Sequence, residues 1–465
     1  MPANADTAAD LKLCLTAKDA YDQAIFDACD RFLDADGIRD ADIVRAARAD
    51  ARLRAAKGDY SSALDDMDWV IELAPTKDAY LTRAFYLIQV GQYEEAIKDA
   101  TTVIEKDSRN ADAYYLRGRA HYLADDEDGG FADLSRAIKL APKHGNAYLW
   151  RGMYNTDEFE NDAAISDLTQ ALRYLRDSDP EFARANAFYR RGEAYYYDNR
   201  CQDALADVDE ALKLTPKFAE VHQLRAECLD ALKHWDDAIA EYGTVVELNP
   251  KNADAFSARG TLQVTVGHPE KALADYTHAI ALNSAGSANY YLRGKTFRQL
   301  SKYDESIADL KVYIDKVPKA AVGQLELGRT YTAMGDAASA ETAFRTGLDL
   351  ADAAIAANPY PVSYFERGAI HYGLRQYQES IDDFTAAIRM TPDNVKFYYG
   401  RALTYEAMGD IEKAGVDRYK AQQIESGQPV DAEPADNTPG GTANDDDDDD
   451  GSWGVKGAGT IQKMH

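Results

Sequence analysis

Apolar residues recur along most of this chain at intervals of three and four, which is the pattern of one face of an amphipathic helix. The apolar stretches come in pairs. A glycine such as Gly91 or Gly267 separates the two members, and a proline such as Pro142 or Pro250 often follows the second. Because glycine and proline are the usual signals for the end of a helix, the pattern predicts an all-α chain of helical hairpins joined by tight turns.

The hairpins repeat with a fixed period. An Arg-Gly or Arg-Ala pair recurs at positions 7 and 8 of nine units, as from Arg83 to Arg117 (117 − 83 = 34), and position 20 is again small. Small residues at positions 8 and 20 would let the two helices approach closely. The units 145–184 and 321–360 run to 40 residues (184 − 145 + 1 = 40), and we expect overlong second helices there, either as tolerated insertions or as a change in the phase of the repeat.

A 34-residue period of helix–turn–helix units resembles the tetratricopeptide repeat (TPR) family. Eleven consecutive units fit residues 44–428. The resemblance implies a right-handed α-solenoid of about eleven to twelve hairpins, in which first helices line a concave groove and second helices lie outside. Residues 1–43 are predicted to hold a degenerate first hairpin. Residues 429–465 are predicted to be a disordered acidic tail, because the aspartates of Asp445–Asp450 repel one another and few apolar residues accompany them.

Position 7 carries arginine and position 23 an acid in most units. The unit with Leu327 at position 7 has Ala343 at position 23, so both charges are lost together. We therefore expect salt bridges that brace each hairpin, and only secondarily a row of arginines for an anionic ligand. The predicted pairs are Arg83–Asp99, Arg117–Asp133, Arg151–Asp167, Arg191–Asp207, Arg225–Glu241, Arg259–Asp275, Arg293–Asp309, Arg367–Asp383 and Arg401–Asp417.

The resemblance also assigns an inner face to positions 2, 5, 6, 9, 12 and 13 of the first helices. In this chain those positions hold aromatic rings with interspersed cations, which suit an extended peptide or a partner helix. Many of the rings could instead pack between neighbouring first helices. The predicted partner-binding residues are Tyr115, Arg119, Trp150, Tyr189, Arg190, Tyr196, Tyr291, Lys295, Arg298, Phe365 and Tyr399, with Tyr197, Arg329, Tyr372 and Lys396 on the same face.

The sequence thus predicts a non-enzymatic adaptor or scaffold that binds a protein partner, and a self-associating scaffold is the alternative. The two-carboxylate clamp with which some TPR proteins hold chaperone tails is not matched, because Tyr115, Arg119 and Trp150 occupy three of its positions. A role as a chaperone cofactor is therefore disfavoured. No cofactor, metal site or catalytic residue is predicted: Gly294-Lys295-Thr296 lacks the first glycine of a phosphate-binding loop.

Charge and cysteine content bear on partners and compartment. Lysine and arginine total 52 against 80 acidic residues, a net charge of −28 that would repel nucleic acid. No apolar run approaches the roughly 18 residues of a membrane span. The first ten residues show no export signal, which predicts a cytoplasmic protein. If Cys14 pairs with Cys29 and Cys201 with Cys228 in disulfides, a periplasmic or exported protein is the alternative.

Overall fold

The computed structural model describes residues 5–16, 23–176 and 181–427, and within them it has 24 helices and no strand. The helices are α1 Ala5–Thr16, α2 Gln23–Leu33, α3 Asp40–Ala56, α4 Tyr60–Leu73, α5 Lys77–Gln89, α6 Tyr93–Lys106, α7 Ala111–Leu123, α8 Glu127–Leu140, α9 Gly145–Asp157, α10 Asn161–Tyr174, α11 Glu181–Tyr197, α12 Cys201–Leu214, α13 Ala219–Ala231, α14 Trp235–Leu248, α15 Ala253–Thr265, α16 Pro269–Leu282, α17 Ala288–Gln299, α18 Tyr303–Lys316, α19 Ala321–Met334, α20 Ala337–Ala357, α21 Pro361–Gly373, α22 Tyr377–Met390, α23 Val395–Ala407 and α24 Ile411–Glu425.

The helices fall into two units, with the boundary between Leu232 and Lys233. In the first unit α1 to α12 pair as six consecutive hairpins, and α13 packs against α12. In the second unit α14 packs against α15, and α15 to α24 form five more hairpins. Successive first helices also touch, as α7 does α9 and α17 does α19. The predicted all-α hairpin repeat is therefore confirmed within each unit.

In the hairpins whose turns the structure describes, the residue at position 15 is left-handed. Gly91 and Gly335 hold it with φ of 77° and 88°, a conformation that costs glycine little. Where glycine is missing the backbone is unchanged: Asp125 has φ of 61° and Phe159 of 58°. The turn is thus fixed by the packing of the two helices, and glycine only makes it less costly.

Small residues at positions 8 and 20 bring the two helices of a hairpin together. A Cβ built on Gly152 would lie 2.6 Å from Leu168 Cγ, and one on Gly328 would lie 2.5 Å from Phe344. At position 20 Ala164 is fully buried. Each hydrophobic cluster accordingly spans only neighbouring helices, so the chain needs no single large core.

The two 40-residue units differ from each other. Helix α20 runs for 21 residues, Ala337–Ala357, as expected for an overlong second helix. The same expectation is wrong for residues 145–184, where α10 ends at Tyr174 after 14 residues. Leu175 leaves the helix with ψ of 129° and buries its side chain among α9 and α10. Burial of this leucine therefore ends α10 at its ordinary length.

The repeat array is preceded by an extra hairpin and ends with α24. Helices α1 and α2 form a hairpin ahead of α3, which starts at Asp40, four residues before the predicted start of the first repeat at Val44. At the other end α24 closes the last hairpin at Glu425. The predicted tail, residues 429–465, lies outside the described residues.

Candidate protein-binding faces

Arginine at position 7 and aspartate at position 23 meet in a two-point contact inside the hairpin. Arg117 Nε donates to Asp133 Oδ2 at 2.6 Å and its Nη2 to Oδ1 at 2.9 Å. Arg293 and Asp309 repeat the contact at 2.7 and 2.8 Å. The same pairing is present in Arg83–Asp99, Arg151–Asp167, Arg191–Asp207, Arg259–Asp275, Arg367–Asp383 and Arg401–Asp417. Because these guanidinium groups are engaged within the hairpin, they do not form a free row for an anion.

One predicted pair and the first repeat depart from this pattern. Arg225 and Glu241 belong to different units, and their pairing stays a prediction; Arg225 Nη2 lies 3.5 Å from Asp209 Oδ1 in its own unit. In the first repeat Asp50 occupies position 7, and Arg54 Nε supplies the missing cation at 2.8 Å from Asp50 and 3.4 Å from Asp66. Burial and then the charge of Asp50 raise the pKa of Asp66 to about 8.

In the first unit the inner face holds a half-buried polar group that we call the Arg190 cluster: Tyr122, Asp157, Tyr189, Arg190 and Glu193. Arg190 Nη1 donates to Asp157 Oδ1 at 3.2 Å and to Glu193 Oε2 at 3.0 Å. Tyr189 donates its hydroxyl to Glu193 Oε1 at 2.6 Å, and Tyr122 donates to Asp157. Burial raises the pKa of Glu193 in spite of the adjacent arginine. One arginine therefore serves two carboxylates contributed by two different helices.

Glu227 on α13 adds a third carboxylate to this face. Gln223 Nε2 donates to its Oε1 at 2.9 Å, and no cation pairs with it among residues 5–16, 23–176 and 181–427. Burial raises its pKa to about 7, with Glu193 adding to the effect. The inner face of α9, α11 and α13 thus carries more negative than positive charge, so it would favour a cationic group on a partner.

Aromatic rings border this acidic region. Arg119 lies 4.8 Å from the centre of the Trp150 ring, whose other neighbour, Tyr122, is at 5.6 Å. Tyr197 and Phe159 form an exposed pair with ring centres 5.2 Å apart. Tyr196 is half-buried, and burial raises the pKa of its hydroxyl. The centres of the Tyr189 and Phe218 rings are 5.2 Å apart, so Tyr189 serves mainly to pack the inner face and exposes little surface to a partner.

A cleft of about 1440 Å³ opens on the first unit beside Tyr115. The Tyr115 ring contacts His144 at 4.8 Å, and His144 Nε2 lies 3.2 Å from Asp112 Oδ1. Lys143, Arg173 and Arg176 also line the cleft. The sequence analysis missed these three cations because they come from the end of α10 and from connecting segments, whereas only first-helix positions were considered.

In the second unit the inner face is cationic, around a group that we call the Lys295 cluster: Lys295, Arg298, Glu326 and Arg329. Arg298 Nη2 donates to Glu326 Oε2 at 2.8 Å and Arg329 Nη1 to Glu326 Oε1 at 2.7 Å. Glu326 is 2% exposed. Burial alone would raise the pKa of Glu326, but Arg329, Arg298 and Lys295 together hold it below its ordinary value. Glu326 is thus ionised in a setting where cations outnumber it.

Lys295 has no such carboxylate of its own. Its ammonium lies 5.0 Å from the centre of the Tyr291 ring, and among the described residues no acceptor is within hydrogen-bond distance of it. Burial lowers its pKa, and the nearby charges of Arg329, Arg298 and Lys396 lower it further against the opposing effect of Glu326. A half-buried ammonium among cations is an electrostatically costly arrangement unless an anion joins it.

The remaining predicted residues of the second unit are partly structural. Phe365 lies between Phe384 and Phe397, with ring centres 5.6 and 5.4 Å away, so it packs within the hydrophobic core. Tyr399 donates its hydroxyl to Glu425 at 3.4 Å. Tyr372 is 39% exposed and is available for contact.

The sequence analysis selected aromatic and cationic residues and passed over the acids of the same face. Asp157, Glu193, Glu227, Glu326 and Glu366 occupy positions 6, 9 or 13 of first helices, which is where that analysis looked for binding residues. These acids could have been selected from the sequence, because an acidic residue at an inner position of a first helix does not face solvent as one at an outer position does. Burial raises the pKa of Glu366 to about 7.

The four cysteines divide into one bonded pair and two thiols. Cys14 on α1 and Cys29 on α2 are joined by a disulfide bond. Cys201 and Cys228 are buried free thiols, and burial together with the neighbouring Cys201 raises the pKa of Cys228. None of the described helices has the length and apolar character needed to cross a bilayer.

Models of the tetratricopeptide repeat match much of this chain. One matches residues 81–145, 257–321 and 365–426, and a second matches residues 195–262. Together the matches extend over more than half of the chain.

Curated relatives and solved structures share less with it. DnaJ homolog subfamily C member 7 of Homo sapiens is 25% identical over 183 residues, and the chain covers 37% of that protein with 37% of its own length; the Mus musculus protein has the same figures. Yeast Tom70 has 13% identity and a TM-score of 0.40 over 83% of this chain and 93% of its own. YrrB, described as a TPR protein with an unusual peptide-binding site, has 22% identity and a TM-score of 0.35 over 40% of this chain and 92% of its own. On the repeat-model matches and the hairpin repeat itself, the chain belongs to the tetratricopeptide repeat family.

Proposed function

We propose that this chain is a non-enzymatic scaffold that binds a protein partner, as an extended peptide or a helix, along the inner faces of its first helices. The observation that carries the proposal is the alignment, within each unit, of half-buried aromatic and charged side chains on consecutive first helices. Hairpin ion pairs and small-residue packing already account for the scaffold. Those side chains that keep an open surface, such as Trp150 and Tyr372, therefore remain available for recognition.

Trp150 is the best single anchor for such a partner. Its ring is half-buried between Arg119 and Tyr122, so it is held in place while part of its surface stays open. Tryptophan and arginine in such partly enclosed positions dominate binding energy in protein interfaces. The Nε of Arg119 is buried and has no hydrogen-bond partner among the described residues, so a partner's carbonyl or carboxylate would satisfy it.

The test compares Trp150→Ala with Trp69→Ala in the full chain. Trp69 is 46% exposed and lies on α4, the second helix of its hairpin. The control therefore removes a tryptophan side chain that is not on the inner face formed by the first helices. Partners captured by the wild-type chain are identified by mass spectrometry and their affinities measured by fluorescence anisotropy. We expect at least about tenfold weaker binding for Trp150→Ala and no change for Trp69→Ala.

Circular dichroism and hydrogen exchange establish that both variants remain folded. Arg119→Ala is a second, less disruptive variant that should weaken the same partner. Equal binding by all three variants and the wild type would contradict the proposal for the first unit. Light scattering could instead show that the mass of the wild-type chain rises with concentration and that the mass of Trp150→Ala does not. The partner would then be a second copy of the chain, and the self-associating scaffold would replace the adaptor as the proposed function.

A further inference from the structure

The Lys295 cluster carries more positive charge than its own carboxylates balance. Lys295, Arg298, Arg329 and the nearby Lys396 are contributed by α17, α19 and α23. Among the described residues, the carboxylate that pairs with these cations is Glu326, through Arg298 and Arg329. This excess stands out in a chain whose net charge is −28.

Two donors of the cluster find no acceptor among the residues that the structure describes. The Lys295 ammonium is half-buried beside Tyr291, and Arg298 Nε is buried and has no hydrogen-bond partner among the described residues. Both carboxylate oxygens of Glu326 are already taken by Arg298 Nη2 and Arg329 Nη1. A buried donor without an acceptor costs free energy, and an added carboxylate would satisfy both groups.

The chain itself holds a dense source of carboxylates within reach. Asp445–Asp450 is a run of six aspartates that starts 20 residues after Glu425 (445 − 425 = 20), where α24 of the same unit ends. Twenty residues span at most about 66–72 Å. Helices packed side by side lie about 8–10 Å apart, so the three steps from α23 back to α17 amount to about 30 Å. The aspartates can therefore reach the whole cluster.

We propose that the Asp445–Asp450 run occupies the Lys295 cluster of its own molecule, with aspartate carboxylates accepting from Lys295 and from the free Nε of Arg298. The inference rests on the proposed function, since the occupied surface is the inner face of the second unit. Tethering on one chain gives the aspartates an effective concentration on the order of millimolar, so even a weak site would be filled. A partner of the second unit would then have to displace the run.

The test uses two full-length chains, the wild type and a variant with Asn in place of all six aspartates, Asp445→Asn to Asp450→Asn. The probe is a dye-labelled peptide of residues 441–454, and its binding is followed by fluorescence anisotropy. We expect the six-Asn chain to bind the peptide at least about tenfold more tightly than the wild type, whose site is occupied. In the six-Asn chain, Lys295→Glu should weaken the peptide at least about tenfold.

Lys311→Glu in the six-Asn chain is the matched control, because Lys311 is an exposed lysine on the second helix α18 and the charge change is identical. It should leave peptide binding unchanged. Equal binding of the peptide by the wild type and the six-Asn chain would overturn the proposal, since the site would then be open to the acidic segment of another protein. The proposal would also be overturned if Lys295→Glu and Lys311→Glu weakened peptide binding equally.

A light-scattering series separates one molecule from two. A wild-type mass that doubles with concentration, while the six-Asn mass does not, would place the aspartates in a second copy and overturn the intramolecular assignment. These outcomes are distinguishable from failure of the proposed function, because the Trp150 experiment concerns the first unit and a different partner. The proposed function can therefore hold when this proposal fails.

Discussion

The two units share one scaffold and differ in the charge of their inner faces. In the first unit a single arginine, Arg190, serves Asp157 and Glu193, and within the part of the chain that the structure describes Glu227 pairs with no cation. In the second unit a single carboxylate, Glu326, serves two arginines, and Lys295 pairs with no carboxylate in that same part of the chain. The charge left unbalanced is therefore negative around Arg190 in the first unit and positive around Lys295 in the second.

The difference shows that repeat packing and recognition use separate positions. Positions 7 and 23 carry the same arginine–aspartate contact in both units, as in Arg191–Asp207 and Arg259–Asp275. Positions 6, 9, 12 and 13 change from hairpin to hairpin. A basic segment would match the face around Arg190, and an acidic segment would match the face around Lys295.

The largest expected effect comes from removing the shared arginine of the first unit. Arg190→Met removes the cation shared by the half-buried Asp157 and Glu193. Breaking a fully buried pair costs about 3–5 kcal/mol, and we expect a loss at the lower end of this range because these side chains are only half-buried. Hydrogen exchange on peptides from α9 and α11 of the full chain should show that loss of protection. Arg200→Met is the control, because Arg200 is an exposed arginine paired with Asp203 on the surface.

Removing Lys295, the corresponding cation of the second unit, should increase hydrogen-exchange protection slightly or leave it unchanged. In the six-Asn chain, which lacks the acidic run, Lys295→Met removes a half-buried ammonium that pairs with no carboxylate among the described residues, so we expect unchanged or slightly greater protection of α17. Similar losses for Arg190→Met and Lys295→Met would show that the two faces are balanced alike. The comparison between the units would then fail.

The next effect is the dependence of stability on pH through Glu227. Its pKa is about 7 in the folded chain against an ordinary 4.5. Between these values the folded state keeps a proton that the unfolded state releases, so stability falls as pH rises through this window and the loss is complete above 7. Glu227→Gln should therefore stabilise the first unit by about 1–3 kcal/mol at pH 8 and have little effect near pH 4.5. Urea unfolding at the two pH values measures the difference.

Glu326→Gln should behave in the opposite way. The folded-state pKa of Glu326 is lowered, so its charge adds stability above its ordinary pKa, and that stability is lost as pH falls through the folded value. At pH 8 the substitution should destabilise the second unit. If Glu227→Gln destabilises the chain at pH 8 as well, the acidic face of the first unit is better balanced than the contacts indicate.

The sequence predicts the scaffold well because its determinants are local and repeated. The period, the small residues such as Gly152 and Gly328, and the arginine–aspartate spacing all recur within one hairpin. The inner faces are harder to predict, since Arg190 meets Asp157 across two hairpins and Glu326 meets Arg298 likewise. The end of α10 at Tyr174 was not predicted from the sequence for a related reason. The burial of Leu175 depends on its neighbours in space, which its position in the repeat does not reveal.

The smallest expected effect, and the most uniform, is the coupling inside a hairpin. Arg191 and Asp207 in the first unit and Arg259 and Asp275 in the second make the same two-point contact, with the aspartates buried and the arginines partly exposed. Double-mutant cycles to Met and Asn should each give a coupling of about 1 kcal/mol, equal within error, because exposed arginine reduces the gain from a good geometry. Unequal couplings would mean that inner-face charge alters the scaffold contacts, and positions 7 and 23 could then no longer be separated from recognition.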